Sequence, residues 1–190
     1  IGLGATGLVL LNRKRVMDNL NIQLSNNFNL QEFVKTSTGF DNIPGPDEIA
    51  NLQNVVVRTL QPLRNFLRLP ITVTSGYRSL LVNRAVGSND SSQHIKGEAV
   101  DFRVVLKELK SNYNEAQALQ RVMQQVQHLG VSSSQLVPMH DSKHWAWMIS
   151  NRVIMHFIAS LRLPYDQMID EQIKGRHWVH LSLKRTGTNR

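Results

Sequence analysis

Ser92-Gln93-His94-Ile95-Lys96-Gly97-Glu98-Ala99-Val100-Asp101 is the stretch on which the reading of this 190-residue chain turns. It runs into Phe102, so that Ala99-Val100-Asp101-Phe102 is an apolar run interrupted by one acid. A carboxylate on an otherwise buried strand is costly unless a cation or a metal compensates it. Two readings are open at this point. Asp101 is a strand-end acid paired with a neighbouring Arg, or it is a metal ligand acting with His94.

Outward from this stretch, short strands and helices alternate. Toward the N-terminus, Ile71-Thr72-Val73-Thr74 is β-branched and bounded by Pro70 and Gly76, which predicts a strand. Asn42-Ile43-Pro44-Gly45-Pro46 marks a turn, and Ile49, Leu52, Val56, Leu60 and Leu63 then recur at helical spacing through residues 47–67. Pro62 should kink or shorten that helix, because it has no N–H to donate. Toward the C-terminus, Ala99 to Val105 predicts the next strand and Glu108 to Leu129 a second amphipathic helix closed by Gly130. Val153 to Leu161 reads as a helix, and Tyr165 to Glu171 and Trp178 to Leu183 as two strands. The pattern predicts an α+β domain over residues 28–190, a small antiparallel sheet with flanking helices. Residues 1–27 read as an apolar segment followed by a polar, Asn-rich connector.

Composition narrows the partners. With 22 Lys and Arg against 14 Asp and Glu the formal charge is +8, which favours anionic partners such as nucleic acid, acidic lipid or cell-wall polymer. No run of interleaved Arg and aromatic residues is present, so no nucleic acid is expected. Cysteine is absent, and any metal must therefore sit on His, Asp or Glu. Leu3 to Leu11 is apolar and stops at Asn12-Arg13-Lys14-Arg15, like the end of a membrane segment or a buried helix. Alone it is too short to cross a bilayer.

The pattern Ser-x-His-x-x-Gly-x-Ala-x-Asp at residues 92–101, preceded by Thr74-Ser75-Gly76-Tyr77-Arg78-Ser79, resembles the zinc D-alanyl-D-alanine carboxypeptidase and L-alanyl-D-glutamate endopeptidase family. Phe28-Asn29-Leu30-Gln31-Glu32-Phe33, the Asn42-Ile43-Pro44 turn and Leu60-Gln61-Pro62-Leu63-Arg64 are similar to the N-terminal half of its phage and bacterial branch. Tyr165-Asp166-Gln167-Met168-Ile169 and Trp178-Val179-His180-Leu181-Ser182 are similar to its C-terminal half. The resemblance covers most of residues 28–184, in order.

It implies a single Zn2+ held by His94, Asp101 and His180. It also implies Arg78 beside the metal, where a guanidinium can hold a substrate carboxylate or carbonyl and stabilise the oxyanion of amide hydrolysis. Ser92 would bind substrate or orient a ligand, or simply cap a turn. The implied activity is metal-activated hydrolysis of peptide bonds in peptidoglycan stem peptides, in phage or bacterial cell-wall lysis or remodelling. The expected place is the periplasm, the cell wall or a phage virion, with membrane or virion association through the N-terminal segment. The alternative is a non-catalytic, metal-containing structural or wall-binding module of a virion.

Two departures qualify the resemblance. Many members carry a Glu three residues before the last His ligand, where this chain has His177. Glu171 is the nearer reading for the general base, with His177 as a transition-state donor. The interval from Asp101 to His180 is also long, and the surplus at about 131–161 is expected to form a lid, a cleft wall or a docking surface. It contains His140-Asp141-Ser142-Lys143-His144, a superficial echo of the His-Glu-x-x-His zinc helix in which Asp is too short to reach the same water.

Overall fold

The computed structural model describes residues 21–185. The apolar stretch Leu3 to Leu11 and Arg13-Lys14-Arg15 lie outside the described residues. The chain opens with β1 (Gln23–Ser25) and β2 (Phe28–Asn29), then α1 (Leu30–Phe33) and α2 (Pro46–Val55), which continues through a π-turn (Val56–Leu60) into α3 (Gln61–Leu67). β3 (Thr72–Ser75), α4 (Leu80–Ala85), β4 (Ala99–Arg103) and β5 (Val105–Leu109) follow, then α5 (Glu115–Val126). The C-terminal part holds β6 (Leu136–Met139), β7 (His144–Ile149), α6 (Asn151–Ser160), β8 (Gln167–Ile173) and β9 (Arg176–Ser182).

The expected mixture of helices and antiparallel strands is present, but the single small sheet becomes three. A four-stranded sheet has the order β3-β4-β9-β8, a three-stranded sheet the order β5-β7-β6, and β1 pairs with β2. All pairings are antiparallel. The predicted strand from Ala99 to Val105 breaks at Val104, whose carbonyl accepts a 3.1 Å hydrogen bond from Ile149 N. The chain thereby passes from the first large sheet into the second without a loop.

Strand alternation gives the four-stranded sheet two different faces. Val100, Phe102, Val179 and Leu181 turn inward and are fully buried, joined by Leu52, Val56, Leu60, Leu63 and Leu67 from the long helix. The opposite face carries Ser75, Asp101 and His180, which are direct register partners across β3, β4 and β9. Pro62 does not break the helix, because the π-turn before it absorbs the missing donor. Gln61 N bonds back to Val56 O, and the proline then starts a fresh turn where its N–H is not required.

One other expectation is corrected, the start of the helix after β5. The helix predicted from Glu108 starts only at Glu115, because residues 105–109 pair with β7 and Asn114 caps the helix in a reciprocal box with Gln117. The stretch around residues 131–161 forms β6, β7 and α6, with Trp147, Ile149, Ile154 and Ile158 buried in the same core as β4. It is therefore a structural layer, one edge of which also walls the cleft described below. Leu24 is buried in that core too, so the packed unit begins ahead of Phe28. Among the described residues, no helix is long and apolar enough to cross a membrane.

Candidate metal centre

His94 sits in a tight loop, Asp101 in the middle of β4 and His180 in β9, and the pairing of Asp101 with His180 sets two of the three side by side. His180 Nδ1 lies 2.8 Å from Asp101 Oδ1, and His94 Nε2 lies 3.2 Å from the same oxygen. His94 and Asp101 are almost fully buried, while His180 is partly open to the cleft. Among the described residues this trio is the one group of His and acidic side chains placed to hold a metal ion, its donor atoms lying within 4.8 Å of one another.

The loop that carries His94 is built from short-range backbone bonds. Ser92 N donates to Asn89 O, Ile95 N to Ser92 O and Gly97 N to His94 O, and Ser92 Oγ accepts from His94 N at 3.3 Å. Ser92 thus caps the turn, while also lining the cleft. Gly97 has φ +67°, and a Cβ on it would lie 2.4 Å from Glu48 O. The loop can pack on α2 only because that position lacks a side chain. Gly97→Ala is expected to destabilise the fold by about 2–5 kcal/mol, from combined backbone strain and overpacking. Chemical denaturation checks this, and an unchanged midpoint would mean that the loop packs elsewhere.

The backbone also orients the imidazole. His94 Nδ1 is 2.6 Å from Gly76 O, and since a carbonyl can only accept, Nδ1 carries a proton there and Nε2 is turned toward Asp101 Oδ1. Gly76 is held against α1, where an added Cβ would meet Phe33 O at 2.5 Å. Arg78 N donates to His94 O, tying the two site segments together. Asn42, from the predicted turn, is buried and clamps the same segment. Its Nδ2 donates to Val34 O and Tyr77 O, and its Oδ1 accepts from Ser79 N.

Arg78 shows that the two readings left open for Asp101 are compatible, since the acid is paired with an Arg through one oxygen while the other stays available to a metal. Its Nη2 donates to Asp101 Oδ2 at 2.7 Å and its Nε to Ser75 Oγ at 2.8 Å, leaving Oδ1 to face the imidazoles. Burial by itself would raise the Asp101 pKa, but hydrogen bonds from His180 and His94, with the charges of His94 and Arg78, hold it well below the usual carboxylate range. The group stays ionised at any working pH.

This donor set fits a metal. Two imidazole nitrogens and one carboxylate oxygen, with no thiolate, suit a hydrolytic zinc site that keeps a position open for water. Tetrahedral zinc with bonds near 2.0–2.2 Å places its donors about 3.3 Å apart. The 2.8 and 3.2 Å separations at Asp101 Oδ1 are close to that spacing.

The trio opens into a cleft of about 1350 Å³, lined also by Arg78, Ser92, Glu171 and His177. Glu171 pairs with Trp178 and Ile169 with His180, so Glu171 shares the metal-binding face of the sheet, one row from His180. Such diagonal neighbours are about 7–8 Å apart, within reach of a long side chain. His177 lies at the cleft rim, but strand alternation turns it to the opposite face, that of Val179 and Leu181. Asn151, at the start of α6, braces this end by donating to Asp170 Oδ1 and Trp178 O.

Residues 140–144 form no second site. Asp141 Oδ1 accepts from Lys143 N, His144 N and His144 Nδ1, while Lys107 Nζ pairs with Oδ2 at 2.8 Å, a turn held by its own acid. The sequence reading missed Arg103, which lines the cleft two residues along the strand from Asp101. Burial, with the like charge of Arg176 added, pulls its guanidinium below the ordinary value. The signal was the strand itself, since i and i+2 share a face.

A His, Asp, His cluster that could hold a metal, open to a cleft of a mixed α and β fold, is the donor set of a metallohydrolase-type site. The family model for Peptidase M15 matches residues 25–137, more than half of the chain, and the chain belongs to that metallopeptidase family. The matched region contains Arg78, His94 and Asp101. His180 lies beyond it and reaches the site through the β4–β9 register. No curated protein sequence matches the chain.

Proposed function

We propose that this chain is a zinc-dependent peptidase that hydrolyses peptide bonds in peptidoglycan stem peptides. The observation that carries the reading is the convergence of His94, Asp101 and His180 on one point of an open cleft, in a chain of the Peptidase M15 family. A zinc ion held by His94, Asp101 and His180 would supply Lewis acidity for activating water and polarising the scissile carbonyl.

The protein's own groups complete the site. Gly76 O fixes the His94 tautomer, and Arg78 holds Asp101 Oδ2 so that Oδ1 faces the imidazoles. The Arg78 guanidinium also lines the cleft, where it can hydrogen-bond the oxygen on which charge develops. Glu171 accepts the proton from the attacking water and returns it to the leaving amine. Its place on the face of His180 supports that role over His177. The substrate lies outside the cytoplasm, so the chain would act in the periplasm or wall, or be delivered within a phage particle. Its charge of +8 favours retention on anionic wall polymer.

Incubation of purified protein with sacculi should release new free amino groups at a rate that EDTA abolishes and added zinc restores. Retention on sacculi without any release would instead fit a non-catalytic wall-binding module.

A further inference from the structure

The two rows of the sheet beyond the metal row hold a second, cationic constellation, Arg103 and Trp178 in the first and Arg176 in the second. Since Asp101 pairs with His180 and Phe102 with Val179, Arg103 stands opposite Trp178 on the metal-binding face. Arg176, two residues before Trp178, shares that face by strand alternation. All three line the cleft.

Their polar groups are left without partners. Arg103 Nε and Trp178 Nε1 are buried and make no hydrogen bond. Among the described residues no carboxylate lies within ion-pair distance of Arg103 or Arg176, although Asp101 and Arg78 nearby are fully paired. Glu171, across Trp178 on β8, forms no ion pair with either. Two like charges at one end of a cleft, with unsatisfied donors between them, are costly in the free protein. An anion seated there would be favoured by both charges, and a guanidinium edge matches a carboxylate in two-pronged geometry.

We propose that Arg103, Arg176 and Trp178 form a carboxylate subsite that selects peptides bearing a free carboxylate close to the scissile bond. Successive same-face rows are about 6.8 Å apart. An extended peptide advances about 3.3–3.6 Å per residue, so a carboxylate held between the row of Arg103 and Trp178 and the row of Arg176 belongs to a residue about two to four positions from the bond that is cut. The inference rests on the peptidase reading for the identity of the ligand and extends it to the residues that choose among peptides. Arg103 and Arg176 are specificity groups here and take no part in bond cleavage.

The test compares a murein stem peptide with the same peptide whose free carboxylates have been converted to carboxamides. With zinc-loaded wild type, kcat/KM should favour the carboxylate form by at least about tenfold. Arg176→Gln, an exposed change that leaves the core untouched, and Arg103→Gln should each remove most of that preference, chiefly through KM. Trp178→Phe should weaken it while keeping the aromatic wall. Equal losses on both forms, or a preference that survives both Arg variants, would overturn the subsite. If wild type cleaves neither form the peptidase reading fails, and calorimetric binding of the two forms decides the subsite alone. A tenfold difference in Kd that both Arg variants abolish sustains it, and equal affinity or no binding overturns it.

Discussion

Asp101→Asn is expected to cost at least about a thousandfold in kcat/KM and to strip most of the zinc from the purified protein. The carboxylate works with both oxygens. Oδ2 accepts from Arg78 and Oδ1 faces His94 and His180. An amide of the same shape cannot serve both sides, because in one orientation its NH2 meets the guanidinium and in the other it meets the imidazoles. In the first orientation a donor faces a donor, in the second an NH2 with no lone pair to give stands where a metal ligand is needed, and either way Arg78 loses its counter-charge. Breaking a buried pair on one side costs about 3–5 kcal/mol, so a lower unfolding midpoint should accompany the lost metal. Metal analysis together with thermal unfolding checks both. An Asn variant that retains full zinc and activity would show that Asp101 only anchors Arg78.

Glu171→Gln should separate chemistry from metal binding. The side chain lies a row away from His180 and outside the donor trio, so zinc content and stability should match wild type. Loss of a positioned general base lowers kcat by about a hundred- to ten-thousandfold, with KM little changed. His177→Ala should cost less than about tenfold, because strand alternation directs that residue to the other face. Steady-state kinetics on zinc-loaded variants decides the matter. The reverse ranking, with His177 the damaging change, would move the proton-transfer role to the rim of the cleft.

The candidate metal cluster was more legible in the sequence than the fold around it. His94 and Asp101 lie seven residues apart in one short stretch, and the apolar residues flanking Asp101 announce a buried acid before any pairing is known. His180 required the resemblance, because its proximity depends on a strand register spanning 79 residues that no local pattern encodes. The second large sheet was not legible for a related reason. In β7, Ala146, Trp147, Met148 and Ile149 are all buried, so the strand lies between two layers and shows no alternation.

The helix boundary near residue 108 failed by competition between two signals. Leu106 and Leu109 fit a helical period when read with the amphipathic stretch that follows, and pairing with β7 overrides it. Asn114 with Gln117 three residues later was the better marker, since it satisfies backbone donors only at a true helix start. Arg103 carried a signal too, since it stands two residues along the strand from Asp101 and so on the same face.

One metal held by His94, Asp101 and His180 is proposed to cut peptide bonds in peptidoglycan. Mass spectrometry of muropeptides before and after incubation with stoichiometrically zinc-loaded protein tests it most directly, because the new masses name the bond. Truncated stem peptides should appear, and should be absent when the zinc is chelated or when His180→Ala replaces wild type. An unchanged muropeptide profile from fully zinc-loaded wild type would contradict the proposal.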